Sequence, residues 1–210
     1  VMRKNPNYFE TDNNGIKLPY LDAVAVTFII DKQTAFLEFI KGNLDFMNSI
    51  DAGYKDELLT RTGQLRKKYQ SLINMHSRPY LNTEYLGFLM DNPNSPITDK
   101  RIRQAINYGF DRRKMMKYLR NNVGIPGCYG FIPNGLPGFD TTLHCYEYNP
   151  AKALQLLEEA GYPNGKGLPT LNLSTTATYL DLCKYIQQQL SIIGININVE
   201  VNPPGALREQ

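Results

Sequence analysis

Apolar positions in the last forty residues or so change period sharply. Tyr179, Leu182, Ile186, Leu190 and Ile193 recur every three or four residues, one face of a helix that Gly194 ends. Directly afterwards Ile195, Ile197, Val199 and Val201 alternate with Asn196, Asn198 and Glu200, the pattern of a strand with one wet face. Residues 171–175 read as the preceding strand. Strand, helix and strand in that order predict a parallel pair joined by a right-handed crossover. The clearest helix boundaries lie upstream. Asn149 is an N-cap, Pro150 takes the first helical position, residues 151–160 are strong helix formers, and Gly161 closes the helix.

The middle of the chain predicts two more helices. Thr98 or Asp99 caps the first, which buries Ile102, Ala105 and Ile106; Asp111 caps the second, which buries Met115, Met116 and Leu119. Earlier, residues 21–30 are β-branched and aromatic enough for a strand. Asp31 then caps a helix over 33–41 carrying Phe36, Leu37, Phe39 and Ile40, with Gly42 at its end, and residues 44–50 form a short strand. That is one βαβ unit in size. A helix over 55–62 and strands over 70–75 and 83–90 follow, then a proline-containing turn over 91–96 and a Gly/Pro-rich loop over 124–138. The fold class is α/β, a mixed sheet with flanking helices.

Composition narrows the function classes. The 210 residues are 42% hydrophobic and 20% charged, with 14 tyrosines and 9 phenylalanines, so the chain can bury a core and is not disordered. A net charge of +3 does not by itself imply a nucleic-acid partner. No apolar run approaches the roughly 18 residues of a membrane span. The chain opens in mid-pattern at Val1 and stops just after a new helix begins, which reads as a piece of a longer protein.

Candidate chemistry is sparse. Residues 161–167 imitate a phosphate loop, but three residues instead of four separate Gly161 from Gly165 and Lys166, Gly167 replaces the hydroxyl, and the segment follows a helix instead of opening one. A helix stop and turn is the better reading. Arg101, Arg103, Arg112, Arg113 and neighbouring lysines form a basic cluster whose interleaved apolar residues suit an amphipathic surface. The two histidines, His76 and His144, support no catalytic grouping and no zinc site. Cys145 follows His144 directly, which suits a reactive thiol less well than an ordinary cysteine. Cys128 and Cys145 bracket the Gly/Pro-rich loop and could pair in an oxidising compartment, leaving Cys183 over on its helix. No catalytic residue, metal or cofactor is assigned, and an enzyme is not expected.

Longer phrases carry more information. Residues 3–9 and 18–22, then 39–45, Tyr85 to Phe88, 96–112, 148–163 and 194–199 occur in register along nearly the whole chain. Together they resemble family 5 extracellular solute-binding proteins, the oligopeptide-, dipeptide- and nickel-binding subunits of ABC importers. The chain departs from the family phrases at Met90 and Asp91, where an Asn-Thr pair is usual, at Ile97 in place of phenylalanine, and at Pro203, Pro204 and Gly205 in place of an aromatic residue. These departures bear on the ligand and leave the fold implication intact.

The resemblance implies a two-lobed receptor that closes by a hinge around its ligand, with this chain as most of the second lobe. Residues 1–20 would lead in from the first lobe, 21–202 would form the second-lobe α/β domain, and 203–210 would begin the following segment. It implies a peptide or similar polar solute as ligand, with the missing first lobe and a membrane permease as partners and no nucleic acid. It also implies a periplasmic or cell-surface lipoprotein as the parent. By position, Met90, Asp91, Thr175, Thr176 and Tyr179 would face the ligand cleft. Plainer readings stand beside this one: Asp91 starts a turn, and the threonines end a strand and cap a helix. Salt bridges between helix and loop account for Arg101, Arg103 and Arg112. The alternative function is a ligand-sensing domain of a transcriptional regulator with the same fold; a hydrolase on an α/β scaffold is a third reading without a constellation to support it.

Overall fold

The computed structural model describes residues 1–48, 50–143 and 145–209. Ser49, inside the expected strand 44–50, together with His144 and Gln210, lies outside the described residues. The chain divides into two compact units, Val1–Tyr54 and Lys55–Gln210.

The first unit has little regular structure. Strand β1 (Met2–Arg3) pairs antiparallel with β2 (Ala23–Val24). The expected strand 21–30 is therefore two residues long. Beyond Val24 the apolar side chains have no sheet to lie on, and Phe28 and Ile30 are 92% and 97% exposed. Helix α1 (Lys32–Ile40) forms as expected because the Asp31 carboxylate accepts from the Thr34 backbone N–H at 2.7 Å. Gly42, at a φ of 82°, turns the chain out of the helix. Phe36 stacks on Tyr54 with ring centroids 4.4 Å apart and is the buried centre of the unit. The described residues of 44–50 form no strand, so no βαβ unit is present here.

In the second unit, helix α2 (Lys55–Leu58) is shorter than expected. The Thr60 hydroxyl accepts from the N–H groups of Thr62 and Gln64, and Gly63 at a φ of 76° reverses the chain so that Leu59 bridges Leu65. Residues 70–75 are not a strand either, because the Tyr69 carbonyl draws the N–H groups of Leu72 and Ile73 back into a turn. Residues 83–90 run without turn or bend and also without a ladder, although Leu86 and Phe88 rest on the core. Alternation secures burial of one face; it does not supply backbone partners.

The core belongs to helices α3 (Lys100–Gly109), α5 (Pro150–Glu159) and α6 (Leu180–Ser191). Ile102, Ala105 and Ile106 pack with Ala153, Leu157, Leu190 and Ile195, all at 2% exposure or less. Asp99 caps α3 through the Arg101 N–H, Asp111 caps α4 (Arg112–Leu119) through Lys114, and Asn149 caps α5 through Lys152. Met115, Met116 and Leu119 of α4 are only half-buried, short of the burial their spacing suggests. Strand β3 (Leu171–Thr175) pairs parallel with β4 (Ile197–Val201), Leu171 opposite Ile197 and Thr175 opposite Val201. Helix α7 (Pro204–Glu209) follows β4.

The helices approach closely at glycine. A Cβ on Gly109 would lie 2.5 Å from Leu190 Cδ2 and 2.7 Å from Ile193 Cδ1. Gly165 and Gly194, both at positive φ, bring two backbones together so tightly that a Cβ on Gly165 would collide with the Gly194 main chain and one on Gly194 with the Asn164 carbonyl.

Polar groups join the helices where apolar packing stops. The buried Lys55 Nζ donates to Asn121 Oδ1 at 3.1 Å, to the Tyr118 carbonyl at 3.3 Å and to Asp56 Oδ2 at 2.9 Å. Asn121, 1% exposed, completes the junction by donating to Asp56 Oδ1. Arg120 at the end of α4 grips Asp181 at the start of α6 through two bonds of 2.6 and 3.1 Å. Burial pushes the Asp181 carboxyl up, but Arg120 and the Leu182 N–H outweigh it and hold the group below the usual carboxylate range. The Tyr185 hydroxyl donates to the Asp111 carbonyl at 3.1 Å; burial, then the charge on Asp111, push this phenol up to about 12. Of the three arginines expected in salt bridges, Arg101 alone among the described residues pairs with a described carboxylate, that of Asp99 at 2.7 Å. Arg103 donates to the carbonyls of Ile97 and Thr98 instead. Arg112 donates to the Asn107 and Tyr146 carbonyls and to Asn107 Oδ1, with Phe110 beneath its guanidinium at 4.2 Å.

Three outcomes follow from this packing. Gly109→Ala loses about 1–3 kcal/mol in urea unfolding, because the added methyl overpacks the α3–α6 contact at a helix end where the gain in propensity is small. Lys55→Met leaves Asn121 Oδ1 and the Tyr118 carbonyl without their donor and loses about 1–3 kcal/mol in the same assay. Arg120→Ala lowers the melting temperature at pH 5–7. Because Asp181 has a depressed folded pKa, that difference is fully present above its unfolded value of about 3.9 and closes as pH falls through the folded one; thermal melts between pH 2 and pH 7 read it directly.

Candidate functional site

In open α/β sheets ligands bind beyond the carboxyl ends of the parallel strands. Here that end is formed by Thr175 and Val201, and pairing runs one residue further because the Asn202 N–H donates to the Thr175 carbonyl at 2.7 Å. Past Thr176 the chain bends through a 3-10 turn, Ala177–Tyr179, whose closing bond runs from the Tyr179 N–H to the Thr176 carbonyl at 3.1 Å. It then enters α6 with no side chain capping the helix.

Thr175 is 5% exposed, and its hydroxyl lies 3.5 Å from the Thr176 carbonyl, a weak contact at best. Thr176 is half-buried, and its side chain caps neither the 3-10 turn nor the helix. The first threonine thus ends a strand as the plainer reading has it, whereas the capping half of that reading is absent. Tyr179 is 38% exposed. Burial raises its phenol most, the nearby Glu84 and Tyr80 raise it further, and the Arg120 charge opposes them. Tyr80 and Glu84 are both exposed, and the arginine that opposes them is the partner of Asp181.

Met90 and Asp91 are both exposed and occupy the opposite end of the 83–90 segment. Thr175, Thr176 and Tyr179 follow one another at the end of β3, and Met90 and Asp91 end a different segment of the chain.

Asn202 went unnoticed in the sequence. Its side-chain Nδ2 is shielded from solvent and has no acceptor among the described residues. A buried amide donor without a partner costs about 1–3 kcal/mol. Its one signal in the sequence is its place: the first polar residue after the alternation of β4, at the carboxyl end of a strand predicted to be parallel to β3.

Other features lie away from this end. An open depression of about 630 Å³ is lined by Asp56, Glu57, Thr60, Arg66, Lys67 and Lys68, but the Glu57 carboxylate is already engaged by Lys68 and Tyr69. Cys128 and Cys145 form a disulfide, the pairing left open above, and Cys183 is free and buried. Among the described residues, no helix is long and apolar enough to cross a membrane.

Donors, acceptors and aromatic edges at a strand end can hold a polar solute. The chain is 26% identical over 188 residues to the glutathione-binding protein GsiB of Pectobacterium atrosepticum, and equally so to GsiB of Escherichia coli K12. Each alignment takes in 90% of this chain and 34% of the relative, so the chain spans about a third of these proteins. Its fold is similar to that of NikA from Brucella suis, crystallised with Fe(III)-EDTA, at a TM-score of 0.75 and 19% identity, over 91% of this chain and 39% of that one. It is also similar to DppA from Helicobacter pylori in complex with the peptide STSA, at 0.70 and 25%, over 98% and 36%. AppA from Bacillus subtilis in complex with a nonapeptide matches at 0.66 and 26%, over 91% and 38%. Residues 1–210 match, end to end, the family described as bacterial extracellular solute-binding proteins, family 5 middle, and the chain belongs to that family.

Proposed function

We propose that this chain is most of the second lobe of a two-lobed solute receptor serving a bacterial ABC importer, and that the receptor captures a short peptide or a similar polar solute. The observation that carries the reading is the unpartnered Asn202 amide at the carboxyl end of the β3–β4 pair, where half-buried Thr176 leads into the exposed turn that ends at Tyr179. A buried donor that the described chain leaves open suits a backbone carbonyl or carboxylate of a ligand that closure of the other lobe would bring in. The lobe comprises residues 21–202, with 1–20 leading in and 203–210 leading out. Met90 and Asp91 serve the more distant end of an extended ligand. The receptor works outside the cytoplasm with a membrane permease as its partner, tethered as a lipoprotein, and it carries out no reaction on what it binds. Support comes from the family membership and from relatives whose names or structures include glutathione and peptides.

Native mass spectrometry of the complete parent protein tests this. A ladder of short-peptide masses, or one tripeptide mass, is the expected result; a single non-peptide mass overturns the peptide assignment, and binding of no small solute in follow-up calorimetry overturns the receptor. In the complete protein, Asn202→Leu weakens peptide binding about tenfold by removing one buried hydrogen bond. The 210 residues alone supply half a cleft and bind the same peptides too weakly to detect.

A further inference from the structure

The short strand β2 lies in a run far more apolar than its two paired residues use. From Ala23 to Ile30 the chain reads Ala-Val-Ala-Val-Thr-Phe-Ile-Ile, with no charge and Thr27 as its one polar side chain. In a strand, Val24, Val26, Phe28 and Ile30 fall on one face and Ala23, Ala25, Thr27 and Ile29 on the other. β4 shows the contrasting pattern of one wet face, with Asn198 and Glu200 exposed. A run that is apolar on both faces suits a strand inside a sheet covered on both sides. Here Ile29 alone is half-buried, and the other seven residues are exposed.

Backbone pairing falls equally short. Residues 25–29 run without turn or bend, yet none of the N–H or carbonyl groups of 25–30 meets a backbone partner among the described residues. Neither lysine nor proline interrupts the run to blunt this edge.

The register of the pair that does form points to the occupant. Met2 stands opposite Val24 and Arg3 opposite Ala23, and the Lys4 N–H donates to the Asp22 carbonyl at 2.8 Å. Carried on in the same register, Val1 comes opposite Ala25, and the residues that precede Val1 in the parent come opposite Val26, Thr27 and Phe28 in turn. The bond at Lys4 also sets the alternation. The N–H groups of Val24, Val26 and Phe28 turn toward this edge, and those of Ala23, Ala25 and Thr27 turn away from it.

We infer that the residues immediately before Val1 continue β1 along this edge, so that the β1–β2 ladder is completed only in the parent protein. Continuity selects them. β1 already holds the neighbouring rungs, so its own extension arrives in register with little further chain entropy to lose. A second copy would have to find that register from free solution. The chain spans about a third of the relatives it matches, which leaves parent chain to supply the strand. The inference takes from the receptor reading only that this chain is part of a longer protein, and it holds whatever solute is bound.

The test is hydrogen exchange on the complete parent protein, read at single residues by fragmentation mass spectrometry. Expected are Val26 and Phe28 amides that exchange roughly a hundredfold more slowly than in an unstructured peptide, at rates that do not change on dilution. Exchange of both at unstructured rates overturns the inference. Protection that falls away on dilution gives the edge to a second copy and overturns it as well. A cross-link checks the register. Thr27 and the second residue before Val1 form a pair without mutual hydrogen bonds, whose side chains lie close, so Thr27→Cys combined with a cysteine at that residue closes an intrachain disulfide on mild oxidation. Moving the partner cysteine to the third residue before Val1, on the other face, lowers the yield roughly tenfold. Equal yields at the two positions, no bond at either, or a bond between copies gives the edge to another occupant and overturns the inference. Neither readout involves a ligand, so failure of the solute reading leaves this test standing.

Discussion

The approach of α3 to α6 at Gly109 is the constraint on which the second unit depends. A side chain larger than hydrogen there would meet Leu190 and Ile193, so the absence of a Cβ sets how near the two helices lie. That separation lets Ile102, Ala105 and Ile106 reach α5 on one side while α6 stays against β4 on the other. Interiors packed to crystal-like density do not deform gradually. The position of α6, and with it the turn that presents Tyr179, is therefore inherited from a contact near the far end of that helix.

Legibility in the sequence followed the range of the interactions. Caps are local, and Asp31, Asp99, Asp111 and Asn149 each do what their spacing implies. The β3–α6–β4 run was legible because helix and strand periods stand side by side in one stretch of chain. The expected strands at 21–30, 70–75 and 83–90 failed for a different reason: a strand is completed by backbone partners elsewhere, which apolar alternation does not reveal. Lys55 is the extreme case. A lysine after a tyrosine at a helix start looks solvated, yet it is buried because Asn121, sixty-six residues away, turns its amide oxygen inward.

The candidate site divides in the same way. Thr175, Thr176 and Tyr179 could be placed at a strand end from position alone, within the fold that the resemblance implied. Asn202 became visible only when the hydrogen bonds of that strand end were counted, since an unmet donor is a property of surroundings, not of residue type. The arginines of the shared phrases hold carbonyls in the main, which makes them fixtures of the helix–loop junctions and keeps their charge out of the cleft.

Cys183 gives the structure a use beyond its packing. It is the free thiol of the described residues, 8% exposed and three residues before the buried Ile186 of α6. A thiol in such a place reacts with an aqueous reagent only when its helix lifts from its neighbours. Its labelling rate is therefore a clock for the opening of α6, carried by the protein without any substitution.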